Sequence, residues 1–121
     1  MRDVVLDELT IRTARLGATL RVDWRGRSTN RNPEQTLRGL FKELILLSRQ
    51  PGTTIEMHFE ALEFFNSSTI TSVLQFVKEL RDARIALVVA FDPANKWQKT
   101  FFDALWMYER DDGLFRLRPS K

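Results

Sequence analysis

The chain has 121 residues, 43% of them hydrophobic, and its 19 basic and 16 acidic side chains leave a formal net charge of +3. That size and composition fit one soluble domain with a substantial core, and the interspersed signs give little pull toward nucleic acid. The lack of cysteine excludes disulfides, thiolate zinc sites and cysteine nucleophiles; the charges in Met1-Arg2-Asp3 and the absence of an apolar run of roughly 18 residues speak against a signal peptide or membrane span, so the cytoplasm is the expected location.

Leu9, Ile11 and Thr13 alternate with polar positions, and Leu20, Val22 and Trp24 alternate with Arg21, Asp23 and Arg25. These runs predict two strands with a tight turn at Gly17. Gly26 to Asn32 reads as a loop, and Asn32-Pro33-Glu34-Gln35 as a helix start with Asn32 as its cap. The stripe Leu37, Leu40, Phe41, Leu44 and Leu47 predicts the first helix, stopped by Pro51-Gly52. Thr54 to Ala61 alternates as a strand, with Ile55, Met57, Phe59 and Ala61 on one face and Glu56, His58 and Glu60 on the other. Ile70, Val73, Leu74, Val77 and Leu80 predict the second helix, and Ile85 to Phe91 a central strand.

Asp92-Pro93 supplies a cap and a first-turn proline for a third helix, whose stripe is Trp97, Phe101, Ala104, Leu105 and Tyr108. Phe102 and Trp106 fall on another side and suggest a partner or dimer contact. Asp112-Gly113 predicts a turn and Leu114 to Leu117 a last strand. The order β-β-α-β-α-β-α-β predicts an α/β fold with a mixed sheet, and the polar alternate positions place the helices mainly on one face.

The densest functional signal is Phe64-Phe65-Asn66-Ser67-Ser68-Thr69-Ile70, where small polar residues lie between a strand and a helix. A side chain there caps the helix, and the unpaired N–H groups of a helix start stabilise a phosphate. An exposed serine at this place is therefore a candidate phosphoacceptor as well as a candidate cap. His58 is the single histidine; with Glu56 and Glu60 it forms a strip that a partner can read, too poor in nitrogen and sulfur ligands for a structural metal site. Arg21, Arg25, Arg27, Arg31 and Arg38 make a basic, solvated edge. No phosphate-binding glycine loop, dinucleotide fingerprint or catalytic triad is present, so neither a cofactor nor a catalytic residue is expected.

From Thr10 to about Leu117 the chain resembles a STAS domain, the fold of anti-sigma-factor antagonists and related bacterial partner-switching proteins. The resemblance is carried by a strand, then Asn66-Ser67-Ser68-Thr69, then an amphipathic helix and an apolar strand. Familiar antagonists have Asp-Ser-Ser-Gly there; Asn66 and Thr69 depart from that pattern and make the chain similar to an atypical branch, some members of which act on a diguanylate cyclase in biofilm signalling.

The resemblance implies a phosphorylation-dependent binding module and not an enzyme. Ser67 is the implied phosphoacceptor, with Ser68 as runner-up, and Asn66, Ser67, Ser68, Thr69, Asp92 and Pro93 are the expected partner-binding residues. The implied partners are a serine kinase of the GHKL ATPase type, a PP2C-type phosphatase and a target protein, either an anti-sigma factor or a diguanylate cyclase. A small-ligand-binding STAS module or a homo-oligomeric scaffold are the alternatives.

Overall fold

A computed structural model describes residues 3–109 and 113–120, except for the side chains of Trp106 and Tyr108. Seven strands form one sheet: β1 (Val4–Leu6), β2 (Leu9–Leu16), β3 (Thr19–Ser28), β4 (Thr54–His58), β5 (Leu62–Phe65), β6 (Ala86–Phe91) and β7 (Phe115–Pro119). Their order is β1-β2-β3-β4-β6-β7, with β5 pairing the end of β3. β1, β2 and β3 are antiparallel; the pairs β3–β4, β3–β5, β4–β6 and β6–β7 are parallel.

The parallel half is built by helical crossovers, α1 (Glu34–Leu47) between β3 and β4 and α2 (Ser67–Asp82) between β5 and β6. A third helix, α3 (Lys96–Asp103), runs into a 3-10 turn (Ala104–Tyr108) before β7. One apolar cluster joins all of these. Ile11, Val22, Trp24, Ile55, Met57 and Val89 of the sheet meet Leu37, Phe41 and Leu44 of α1, and Val73, Phe76 and Leu80 of α2. Phe41 and Phe76 stack at 4.1 Å and lock α1 to α2. The opposite sheet face carries Arg12, Arg21, Asp23, Glu56, His58 and Arg118 at the alternate positions. This is the expected α/β arrangement, a mixed sheet with its helices on one face.

Several local expectations are corrected. β3 continues through Gly26 and Arg27 to Ser28, where a loop was expected, because the end of the strand finds a second partner in β5. The expected strand from Thr54 to Ala61 divides: β4 stops at His58, and a turn closed by the Leu62 N–H to the Phe59 carbonyl (2.9 Å) starts β5 and leaves Ala61 exposed. Asn32 does not cap α1; Pro33 holds that position without a side-chain bond, and the Asn32 N–H instead donates to Asn30 Oδ1 at 2.8 Å. Asp92-Pro93 does not open α3, whose N-cap is Asn95.

Phe102 is also corrected, from surface contact to core: it is fully buried against Phe59 and Phe91, with centroids 5.1 and 5.2 Å away. The buried face runs through Gln98, Phe102 and Leu105, so Ala104 is exposed while Leu105 is buried. The Trp106 and Tyr108 side chains and Asp112 lie outside the described residues.

Candidate phosphoacceptor turn

The site exists because β3 changes partner along its length. Thr19–Asp23 pairs with β4, while Gly26–Ser28 pairs with β5 across a register shift between Gly26 and Arg27. Gly26 has φ +89°, and a Cβ there would lie 2.0 Å from the Glu8 carbonyl oxygen, so this bend requires glycine. β5 then delivers Asn66 beside the end of β3, where the Asn66 N–H donates to the Ser28 carbonyl at 3.1 Å.

Asn66 is the N-cap of α2. Its Oδ1 accepts from the Thr69 N–H at 3.0 Å, and its backbone carbonyl accepts from the Ile70 N–H at 3.0 Å. Its Nδ2 donates to the Asn30 carbonyl at 2.8 Å. The amide therefore works at both ends. An aspartate would still cap the helix but would offer no donor to Asn30, which gives asparagine a physical reason at this position.

Thr69 completes the frame. It is fully buried, and its Oγ1 is hydrogen-bonded to the Oγ of Ser28, itself 1% exposed. Thr69 was expected among the partner-contacting residues; its side chain instead faces inward and braces the first turn against β3. With Asn66 and Thr69 committed, the two serines are left over. Ser67 is exposed, and its hydroxyl makes no hydrogen bond to a described residue; only its backbone carbonyl is engaged, accepting from Thr71 Oγ1 at 3.0 Å. Ser68 is half-buried and lines a cleft between α1 and α2.

Asp92 and Pro93 are half-buried in a turn after β6. Asp92 Oδ1 accepts from the Ala94 N–H at 2.9 Å, while the Asp92 N–H donates to Gln98 Oε1 at 2.8 Å. Gln98 is completely buried and its Nε2 also donates to the carbonyls of Phe59 and Leu62, at 2.8 and 2.9 Å. One side chain thus ties α3 to the turn after β6 and to the segment leading into β5. The sequence carried no sign of this, because a polar residue on a helix is ordinarily solvated.

The start of α2 borders an apolar groove of about 580 Å³ lined by Phe64, Phe65, Ile70, Trp97 and Phe101, with Lys96 at its margin. Ser67 lies in sequence between Phe65 and Ile70. Phe64 is 40% exposed with the Arg27 guanidinium 5.2 Å above its ring, and the buried indole nitrogen of Trp97 has no hydrogen-bond partner among the described residues. A protruding apolar group of a partner would find a hydrophobic slot here, while the buried Trp97 nitrogen lies beneath its surface.

On the helix-free face His58 is only 7% exposed, a paired side chain and not a solvated one. Its Nε2 lies 2.9 Å from Glu56 Oε1 and its Nδ1 3.1 Å from Glu60 Oε1. Arg118 reaches Glu56 at 3.4 Å, and the Ser120 hydroxyl donates to Glu60 at 2.8 Å. The His58 hydrogen bond, aided by Arg118, lowers the Glu56 carboxyl below its ordinary value against the effect of burial. Burial opposes ionisation of Glu60 most strongly, but the Ser120 hydroxyl, a backbone N–H and His58 together outweigh it and bring that carboxyl down. Arg21 is held above its usual value by its bond to Asp23. Among the described residues no group of three or more ligating side chains is arranged to hold a metal ion.

No family model and no curated protein matches this sequence. Among solved structures, the anti-sigma factor antagonist SpoIIAA in its unphosphorylated form is similar in fold: the TM-score is 0.55 at 19% identity, over 76% of this chain and 81% of that one. The fold is therefore that of a STAS domain, as the sequence resemblance implied. No helix among the described residues is long and apolar enough to cross a membrane.

Proposed function

We propose that this chain is a cytoplasmic, non-catalytic regulatory module, a single STAS domain that exchanges protein partners according to the phosphorylation of Ser67. The observation that carries the reading is the division of labour at the start of α2: Asn66 does the capping, Thr69 and Ser28 do the bracing, and Ser67 is exposed with a hydroxyl bonded to no described residue. A modifying enzyme can reach that oxygen without unpicking the helix.

Phosphorylation would add a charge of about −1.5 to −2. At a helix start it meets unpaired N–H groups and the positive end of the helix, so the fold is retained. The same charge beside an apolar groove would have to be desolvated by any partner that covers both, so the unmodified form binds and the modified form releases. The fold shared with SpoIIAA, an anti-sigma factor antagonist known in an unphosphorylated form, supports a regulatory binding role. The opposing enzymes in this reading are a kinase of the GHKL ATPase type and a PP2C-type phosphatase, and the target is an anti-sigma factor or a diguanylate cyclase. Asn66, Ser67, Ser68, Asp92 and Pro93 contribute the docking surface.

Intact-mass spectrometry with site mapping, on protein isolated from its native cells, tests the phosphoacceptor. The expected result is a phosphoryl group mapped to Ser67, with none at that position in Ser67→Ala protein. Protein that carries none on Ser67 under any growth condition would remove the reading.

A further inference from the structure

The cleft between α1 and α2 differs in kind from the groove beside α3. The Phe41 ring lines it, and its walls carry Arg38 and Lys42 from α1 and Ser68 and Thr71 from α2. It encloses about 190 Å³, room for a phosphoryl group and some water. Glu34 and Glu79 also line it, so the formal charges balance and a free anion feels no net pull. Neither Arg38 nor Lys42 makes an ion pair with a described residue, and both are exposed.

Ser67 and Ser68 are consecutive on α2, and consecutive helical positions are about 100° apart around the axis. Ser68 lines the cleft; Ser67 does not. We infer that this cleft is the seat of a phosphoryl group carried by Ser68, with Arg38 and Lys42 as its counter-ions. In the transfer, Ser68 Oγ bonds to the γ-phosphorus of ATP on a serine kinase as the bond to the β–γ bridging oxygen breaks. ADP leaves, and the hydroxyl proton passes to a base on the kinase.

The tether supplies the local concentration that the balanced lining cannot supply for a free anion. Charge-assisted hydrogen bonds from the guanidinium and ammonium groups then draw the phosphate inward and tie α1 to α2. The two serines would thus give opposite outputs. A phosphate on Ser67 stays toward the partner, whereas one on Ser68 is neutralised within the molecule. This inference rests on the proposed function only for the existence of a serine kinase.

The test uses the full chain with phosphoserine incorporated at position 67 or at position 68, titrated by phosphorus NMR. The phosphate on Ser68 is expected to titrate about one unit lower than that on Ser67, as for an acid beside a cation. Arg38→Ala and Lys42→Ala should each move it back up, and Arg38→Lys should restore much of the effect. Both replaced side chains are exposed, so circular dichroism should show an unchanged fold. Equal midpoints for the two phosphates, or a Ser68 midpoint indifferent to Arg38→Ala and Lys42→Ala in folded protein, would overturn the inference. Partner affinity is not read in this experiment. A low Ser68 midpoint beside a Ser67→Asp protein that still binds its partner would leave the cleft standing and remove the switch.

Discussion

Two polar clusters stand on this sheet, and they differ in what they leave unused. On the helix-free face, His58 engages a carboxylate at each ring nitrogen, and those carboxylates are held in turn by Arg118 and Ser120. At the start of α2, Asn66 and Thr69 are equally committed, but the Ser67 hydroxyl beside them is bonded to no described residue. The first cluster is closed and the second is open. A closed network fixes geometry; an open hydroxyl on a fixed frame is available to chemistry.

Mutations can break or sharpen that contrast. The largest effect should come from Thr69→Val, which leaves the buried Ser28 hydroxyl without its partner and should cost on the order of 1–3 kcal/mol in denaturant unfolding. Adding Ser28→Ala should recover part of the loss, because both halves of the pair are then gone. Asn66→Ala should cost about 0.5–2 kcal/mol through the lost cap, and Asn66→Asp less, because only the donor to Asn30 disappears.

The closed cluster should show itself in acid. Glu56 and Glu60 both titrate lower in the folded protein than in the unfolded chain. Their contribution is therefore complete above the unfolded carboxylate value of about 4.3 and is lost as pH falls through the folded values. Unfolding curves measured down that range should show stability declining, with a shallower decline in Glu56→Gln. The effect is modest, since these carboxylates are 24% and 35% exposed. The smallest change should be that of Ser67→Ala, within about 0.5 kcal/mol of wild type, as for a surface position with no partner to lose.

Much of the scaffold was legible because it is written in period. The stripe Leu37, Leu40, Phe41 and Leu44 and the stripe Val73, Val77 and Leu80 are buried as their spacing demands. Legibility failed where a long-range partner decided the outcome. His58 alternates as if facing water, yet Arg118 and Ser120, some sixty residues away, close over its carboxylates. Gln98 looks like solvated helix surface but satisfies backbone groups that the break between β4 and β5 leaves inside. Phe102 was misplaced because the stripe was phased on Trp97 and Phe101, whereas the buried face of α3 is set by Gln98 and Phe102. At the site itself, the turn and its serines were visible, but not which residue caps, which braces and which stays free; that sorting depends on Ser28 and Asn30, delivered by β3.

The central claim is that charge on the Ser67 oxygen controls docking while the frame beneath it stays intact. The most direct measurement is the affinity of Ser67→Asp protein, beside wild type and a neutral Ser67→Asn control, for the partner bound by the unmodified chain. The account predicts that all three unfold alike, that Ser67→Asn binds nearly as wild type, and that Ser67→Asp loses at least tenfold in affinity, about 1.4 kcal/mol. A folded Ser67→Asp protein that binds as tightly as wild type would contradict it.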